Sequence, residues 1–261
     1  MFGFLGLWFR RARFVARLLV FYTAMFGCTG YGVFATLLLR MVGKVSIAQY
    51  AVGRAFKHVI CPLVGIDIPV ENEKALEVRP AVFISNHQSE LDLVLLGRLF
   101  PKHCSVTAKR SLKYVPFLGW FMAVSGTVFI DRTNRKDAFT AFDRASKEMQ
   151  DKRQSVWIFP EGTRSYSDKP TMLPFKKGAF HLALQAKVPI VPIVVANYSH
   201  VLNVKEMTFE RGTIPVRVLD PISTEGLTPA DIPKLVEDTR NRMLAVLEEI
   251  TPKKSEVKKS D

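Results

Sequence analysis

The chain has 261 residues, 48% hydrophobic and 23% charged, enough for one substantial core with an appendage and suited to a globular domain joined to a membrane segment. Its formal charge of +13 implies an anionic partner; no nucleic-acid recognition motif is present, which leaves an anionic membrane surface or a phosphorylated substrate. The three cysteines are odd in number and lack CxxC spacing, which argues against a disulfide framework and structural zinc.

Residues 18–39, LLVFYTAMFGCTGYGVFATLLL, carry no charge. Twenty-two helical residues reach ~33 Å, enough to cross a bilayer core and too long for a signal-peptide core. Arg10, Arg11, Arg13 and Arg17 precede the stretch, and Arg40, Lys44, Arg54 and Lys57 follow it. The basic flanks balance and give no orientation. Residues 45–64 read as a second, weaker amphipathic helix ending near Pro62. Three arrangements stay open: a span, a hairpin dipping into one leaflet, or a buried core helix.

From about residue 68 short β-rich runs alternate with helical ones. Strands are expected at 81–85, 104–108, 126–131, 155–159, 190–196 and 213–219, and helices at 90–99, 136–151, 178–187 and 229–250. The fold class is therefore α/β, a central mixed β-sheet covered by helices, with an N-terminal hydrophobic helical membrane region. The expected division is a membrane-associated region at 1–67, the α/β domain at 68–250 and a Lys-rich disordered tail at 251–261.

Two motifs sit at strand ends, where open α/β sheets bind ligands. NHQSELD (86–92) delivers His87 into a loop, with Asp92 five positions on and Ser89 placed to cap a helix beginning at Glu90. Either His87 and Asp92 pair, the carboxylate fixing the imidazole tautomer, or Ser89 and Asp92 form only a capping-box-like helix start. FPEGTRS (159–165) offers a glycine for a turn and Arg164 for bidentate phosphate binding; the alternative is an ordinary turn with a solvated arginine. Lys109, in AKRSLKYVPFLGW, and Arg132, in FIDR, end other strands and are candidate phosphate or cofactor contacts, or simply solvated. VPIVPIVV (188–195) reads as a buried strand, with the wall of an acyl pocket as a compatible role. GxSxG, HExxH, Walker A and GxGxxG patterns are absent, so serine hydrolases, zinc hydrolases, P-loop NTPases and Rossmann enzymes lack their local signatures.

Taken in order, Asn86–Asp92, Lys109–Gly119, Phe129–Arg132, Phe159–Arg164 and Val188–Pro192 resemble the motif blocks of the glycerolipid acyltransferases. AKRSLKYVPFLGWFMAVSG and FPEGTRSYS…MLPFKKGAFHLA are similar to the fungal type of 1-acyl-sn-glycerol-3-phosphate acyltransferases. The likeness covers roughly residues 80–225. It implies acyl transfer from acyl-CoA, a co-substrate, to the sn-2 hydroxyl of lysophosphatidic acid, with no resident cofactor or metal and no nucleic-acid partner. It also implies a membrane location, the endoplasmic reticulum with the catalytic domain facing the cytosol. By the same resemblance Gly162, Thr163 and Arg164 hold the acceptor's phosphate, Lys109 helps, and Glu161 orients Arg164.

The residue chemistry is compatible with that implication. An alcohol needs a base to take its proton as the new bond forms, a role His87 oriented by Asp92 can fill; the leaving thiolate needs little acid assistance. Direct transfer without an acyl-enzyme is expected, because no elbow serine is present and adjacent His103 and Cys104 point to opposite faces of a strand. Other readings stay open: glycerol-3-phosphate or another lysophospholipid as acceptor, a thioesterase, or a non-catalytic membrane-binding protein.

Overall fold

The computed structural model describes residues 2–131 and 135–252, so Arg132 and residues 253–261 of the expected tail lie outside the described residues. Eight α-helices are described: α1 Phe2–Met41, α2 Ala48–Ala55, α3 Cys61–Val64, α4 Asp92–Leu99, α5 Leu118–Val124, α6 Arg135–Lys152, α7 Gly178–Ala186 and α8 Ile232–Ile250. Eleven strands accompany them: β1 Ile66–Asp67, β2 Val70–Glu71, β3 Val82–Ser85, β4 Cys104–Lys109, β5 Val128–Ile130, β6 Ser155–Ile158, β7 Ile190–Val195, β8 Leu202–Asn203, β9 Thr208–Phe209, β10 Gly212–Thr213 and β11 Val216–Val218.

The central sheet runs β2-β11-β7-β3-β6-β4-β5 and is mixed. Among the described strands of this sheet, only the β11–β7 pair is antiparallel. Every residue of β3, β6 and β7 is buried, as expected of strands covered on both faces. Alternation divides them between two cores: Phe83, Trp157 and Val191 face α2, α4 and α5, while Val82, Ile84 and Ile158 face α6, α7 and α8. Because β3, β4, β6 and β7 run parallel, their C-terminal ends emerge along one edge. Both sequence motifs follow such ends.

The strand expected at 213–219 is two strands. β10 pairs with β1 and β11 with β7, and Pro215 between them has no N–H to carry one ladder through. The final helix starts with a 3₁₀ turn, Pro229–Asp231, boxed by Thr228 N–H and hydroxyl donation to Asp231 Oδ2 at 2.8 and 2.7 Å.

Residues 45–64 are helical almost throughout, passing through a π-helical turn at Phe56–Ile60 just before Pro62. α1 is long and apolar enough to cross a membrane by length and composition, yet only 28% of its most apolar window is buried. The helix is therefore not enclosed by the rest of the described residues. Phe14, Phe21, Met25 and Cys28 face the protein, while Trp8, Leu19, Phe34 and Leu38 are exposed on the other side. Contacts with the domain run from Arg13 to Arg40: Arg13 pairs with Glu210, Phe21 packs on Phe209, and Arg40 Nη2 donates to the Val124 carbonyl at 3.5 Å.

α2 and α4 cross at Gly53 and Gly97, whose backbones touch. A Cβ on Gly97 would lie 2.7 Å from the Gly53 carbonyl oxygen and 2.8 Å from Phe56 Cβ. Because α4 begins with Asp92, this crossing sets where the carboxylate sits. Gly97→Ala should lower stability by about 1–3 kcal/mol, read as a fall in the thermal midpoint of detergent-purified protein. Gly27→Ala, with nothing within 4 Å of the new Cβ, should be neutral or stabilising.

Candidate active site

Beyond β3 the chain is tied to two neighbouring strand ends. Asn86 clasps the backbone of Val195, its Nδ2 donating to the carbonyl and its Oδ1 accepting from the N–H, both at 2.9 Å. Gln88 Nε2 donates to the carbonyls of Val195 and Ala196 at 3.0 and 2.9 Å. From the segment after β6, Ser165 N–H donates to His87 O at 3.0 Å and Tyr166 N–H to Gln88 O at 3.1 Å. The His87 loop is thus fastened to β7 and to the FPEGTRS segment before any side-chain chemistry begins.

His87 Nδ1 lies 2.6 Å from Asp92 Oδ2. The same oxygen accepts from Gln88 N–H at 2.7 Å and Ser89 N–H at 3.2 Å, and Oδ1 accepts from the Tyr198 hydroxyl at 2.7 Å. Asp92 is 3% exposed. Four donors hold this buried carboxylate, each charge-assisted bond worth about 1.5–3 kcal/mol. The helix-start reading differs from the structure in detail. α4 begins at Asp92, not Glu90, and the Asp92 carboxylate reaches back to the N–H groups of Gln88 and Ser89. Ser89 Oγ donates to the Tyr198 hydroxyl at 3.1 Å and accepts from Leu91 N–H at 3.4 Å, in the turn just ahead of α4.

The His87 ring stacks on Phe159, centroids 4.1 Å apart and planes 19° from parallel. With Nδ1 on the carboxylate and the ring against Phe159, Nε2 is the ring nitrogen not engaged by Asp92. The His87 backbone is held as well: its N–H donates to Glu161 Oε1 at 2.7 Å, while Leu173 N–H donates to Oε2 at 2.8 Å. Burial pushes the Glu161 carboxyl above its ordinary value, and the two N–H groups oppose that by favouring the ionised form. Among the described residues Arg164 bonds to Glu90 and Tyr166, not to Glu161. Each Glu161 oxygen accepts a backbone N–H, one of them that of His87.

Gly162 follows with φ 72°, and a Cβ there would lie 2.9 Å from Lys176 Cε and Nζ, so the glycine brings Lys176 over the turn. Thr163 is exposed. Arg164 is half-buried, its Nη1 bonded to Glu90 Oε1 at 2.9 Å and Tyr166 hydroxyl at 3.2 Å; Tyr166 also donates to Glu90 Oε1 at 2.6 Å. Lys109 is exposed at the end of β4, on the same sheet edge but two strands from β3. The structure brings His87, Asp92, Glu161, Gly162 and Arg164 together and leaves Lys109 at the flank. Tyr198, Glu90, Phe159 and Lys176 were not anticipated. Tyr198 follows an apolar strand in ANYSH, and that strand-end position was the available signal.

The β7 segment is not the wall of an open acyl pocket, since Ile190–Val195 is buried between the two cores. A narrow apolar cleft lies elsewhere, lined by Val52, Phe56, Leu93, Leu96, Phe121 and Met122, beside the helix that carries Asp92. Cys104 is fully buried and its thiol is pushed well above its ordinary value by that burial, opposite to what a nucleophile needs.

Residues 67–196 match the family described as Acyltransferase. The chain is 50% identical over 227 residues to 1-acyl-sn-glycerol-3-phosphate acyltransferase of Saccharomyces cerevisiae, covering 87% of this chain and 75% of that one. The chain belongs to the acyltransferase family. Another member, 1-acyl-sn-glycerol-3-phosphate acyltransferase beta of Homo sapiens, is 39% identical over 238 residues, covering 90% of this chain and 83% of the relative. The acyltransferase fold is also that of the 1-acyl-sn-glycerophosphate acyltransferase PlsC from Thermotoga maritima, with a TM-score of 0.74 at 24% identity, covering 94% of this chain and all of that one. The matched acyltransferase region takes in both strand-end motifs and ends two residues before Tyr198.

Two substitutions test the positioning contacts of this acyltransferase. Tyr198→Phe leaves Asp92 Oδ1 without its buried donor and reduces Ser89 N–H to its 3.2 Å bond to Asp92 Oδ2, and should lower stability by about 1–3 kcal/mol. Glu161→Gln turns an amide toward one of two N–H donors and should cost a similar amount. Thermal melts of the purified variants check both, and unchanged midpoints would show that these contacts contribute nothing.

Proposed function

We propose that the chain transfers an acyl group from acyl-CoA to the sn-2 hydroxyl of 1-acyl-sn-glycerol-3-phosphate, forming phosphatidic acid, with His87 as general base. The observation that carries this reading is the 2.6 Å pair of His87 Nδ1 and Asp92 Oδ2 inside a fully donated carboxylate site. The names of the relatives supply the acceptor.

In the proposed reaction His87 Nε2 takes the hydroxyl proton as the oxygen attacks the thioester carbon. Asp92 stabilises the imidazolium so formed. Base catalysis of this kind is typically worth ~10²–10⁴-fold. Collapse of the tetrahedral intermediate breaks the carbon–sulfur bond, and the CoA thiolate departs with its electron pair. The imidazolium proton goes to the thiolate or to solvent, returning His87 to its starting state. Transfer is direct in this scheme: Ser89 is buried and tied to Tyr198, and Cys104 is buried in β4. Both substrates must then be bound together, with reacting atoms ~3–3.5 Å apart.

Arg164 is the proposed phosphate ligand. Among the described residues both its side-chain bonds use Nη1, so the rest of the fork can meet a phosphate oxygen. Lys176, drawn over Gly162, is a second cation at the same turn. The cleft between α2, α4 and α5 is the proposed place for an acyl chain.

The membrane part of the proposal is a one-leaflet arrangement. α1 is fastened to the domain along ~40 Å between Arg13 and Arg40, so a perpendicular crossing would carry the domain surface into the bilayer with it. Its exposed apolar face suits lying within one leaflet instead. The endoplasmic reticulum, with the domain on the cytosolic side, is the proposed location.

His87→Ala should reduce turnover to background in protein that still folds and binds membranes, and Asp92→Asn should lose most activity. Near-normal acyl transfer by folded His87→Ala, measured with labelled acyl-CoA, would refute the base assignment. Arg164→Ala should weaken use of lysophosphatidic acid more than use of a neutral monoacylglycerol, and Arg164→Lys should rescue only in part. Equal loss with both acceptors would make Arg164 structural. Free fatty acid appearing without acceptor-dependent product would favour a thioesterase.

A further inference from the structure

A second cationic site lies away from the His87 edge, where α1 passes the junction of β9 and β10. Arg13 and Arg17 stand one turn apart on α1, and Arg211 comes from that junction. With Glu210 they line an open cleft of about 740 Å³. Glu210 pairs with Arg13, so three guanidinium groups face one carboxylate.

The cleft is supported from behind. Arg17 Nη2 donates to the Val64 carbonyl, and its guanidinium lies 4.9 Å over the Phe209 ring. Arg211 lays its stem across Gly65, where a Cβ would come within 2.6 Å of Arg211 Cγ; the missing side chain makes the room. Arg17 Nε is buried with no hydrogen-bond partner among the described residues. Burial, and then the like charges of Arg13 and Arg211, act against the Arg17 cation. The fold thus holds like charges together and leaves a donor unmet, an arrangement that an anion would relieve.

We propose that this cleft binds the phosphate of an anionic glycerophospholipid lying in the same leaflet as α1. Exposed Trp8 and Phe9 precede the arginines on the helix and exposed Leu19 and Val20 follow them, which places the guanidinium forks beside acyl chains and at headgroup depth. Two forks from α1 and one from the β9–β10 junction then bridge a single phosphate, and the lipid fastens the amino-terminal half of α1 to the domain. The lipid is neither acceptor nor product at the His87 site. The site rests on the one-leaflet reading of α1, and its test reads binding, so it stands or fails separately from the acyl-transfer reading.

The full-length protein is held in neutral maltoside micelles, where no charged surface attracts it diffusely. Phosphatidylglycerol, phosphatidylcholine or inorganic phosphate is added, and lipid retention by native mass spectrometry is read alongside the thermal midpoint. Phosphatidylglycerol should bind and raise the midpoint, while phosphatidylcholine and inorganic phosphate should not. Arg17→Ala/Arg211→Ala should weaken binding by about tenfold or more, the loss expected when charge-assisted bonds are removed. Arg211→Ala alone, at an exposed position, keeps the test open if the double variant fails to fold. Arg10→Ala/Arg11→Ala removes equal charge from exposed positions outside the cleft and should bind as the wild type does. Equal retention of both lipids, equal loss in the two double variants, or a full midpoint shift with inorganic phosphate alone would overturn the lipid assignment. Loss of the shift in Arg164→Ala would relocate the lipid to the His87 site and overturn it equally.

Discussion

The Asp92 carboxylate accepts from His87 Nδ1, the N–H groups of Gln88 and Ser89, and the Tyr198 hydroxyl, while lying 3% exposed to solvent. A carboxylate buried this way costs several kcal/mol unless its lone pairs are filled, so each donor depends on the others being in place. Three donors belong to the loop after β3, one follows β7, and the acceptor opens α4. A single charge therefore joins three elements and fixes the imidazole plane as a consequence. The close α2–α4 crossing at Gly53 and Gly97 sets where α4, and with it the charge, lies against the sheet.

Glu161 applies the same physics to the backbone. Its two oxygens take the N–H groups of His87 and Leu173, so the loop carrying the base is held through main chain by one carboxylate and through side chain by another. Neither acid performs the proton transfer in the proposed scheme. In that scheme they remove freedom from His87, which would matter because reaction between two bound substrates tolerates little misplacement of a base. Arg164, tied to Glu90 and Tyr166, is restrained in a similar way on the other side of the turn.

Much of this was readable from sequence because burial writes itself as apolar runs. VFIS, VWIF and VPIVPIVV marked three central strands, and glycine and proline marked their ends. Strand order was not readable, since parallel neighbours are paired by contacts remote in sequence. Pro215 splits an expected strand whose residues are otherwise β-formers. At the site, spacing offers two readings of NHQSELD, a His87–Asp92 pair or a helix start at Ser89 and Asp92, and the structure contains both, with Leu91 N–H on Ser89 Oγ and Ser89 N–H on Asp92. Glu161 was assigned to Arg164 because sequence neighbours look like spatial ones, whereas the turn at Gly162 sends their side chains to different partners. Tyr198 was missed because a tyrosine after a buried strand gives no sign of reaching a carboxylate 106 positions earlier. The docking of α1 depends on a stripe of residues seven and four apart that an all-apolar segment conceals.

The central claim is that the buried carboxylate holds His87 with its proton on Nδ1 and leaves Nε2 bare to receive another. Nitrogen NMR of ring-labelled histidine in the full-length protein reads this directly, with His87 assigned by its absence in His87→Ala. The account predicts that neutral His87 is the Nδ1–H tautomer with a strongly hydrogen-bonded proton, and that Asp92→Asn loses that signature. A neutral imidazole carrying its proton on Nε2 would contradict it, because the nitrogen facing the substrate would then have no lone pair to act as a base.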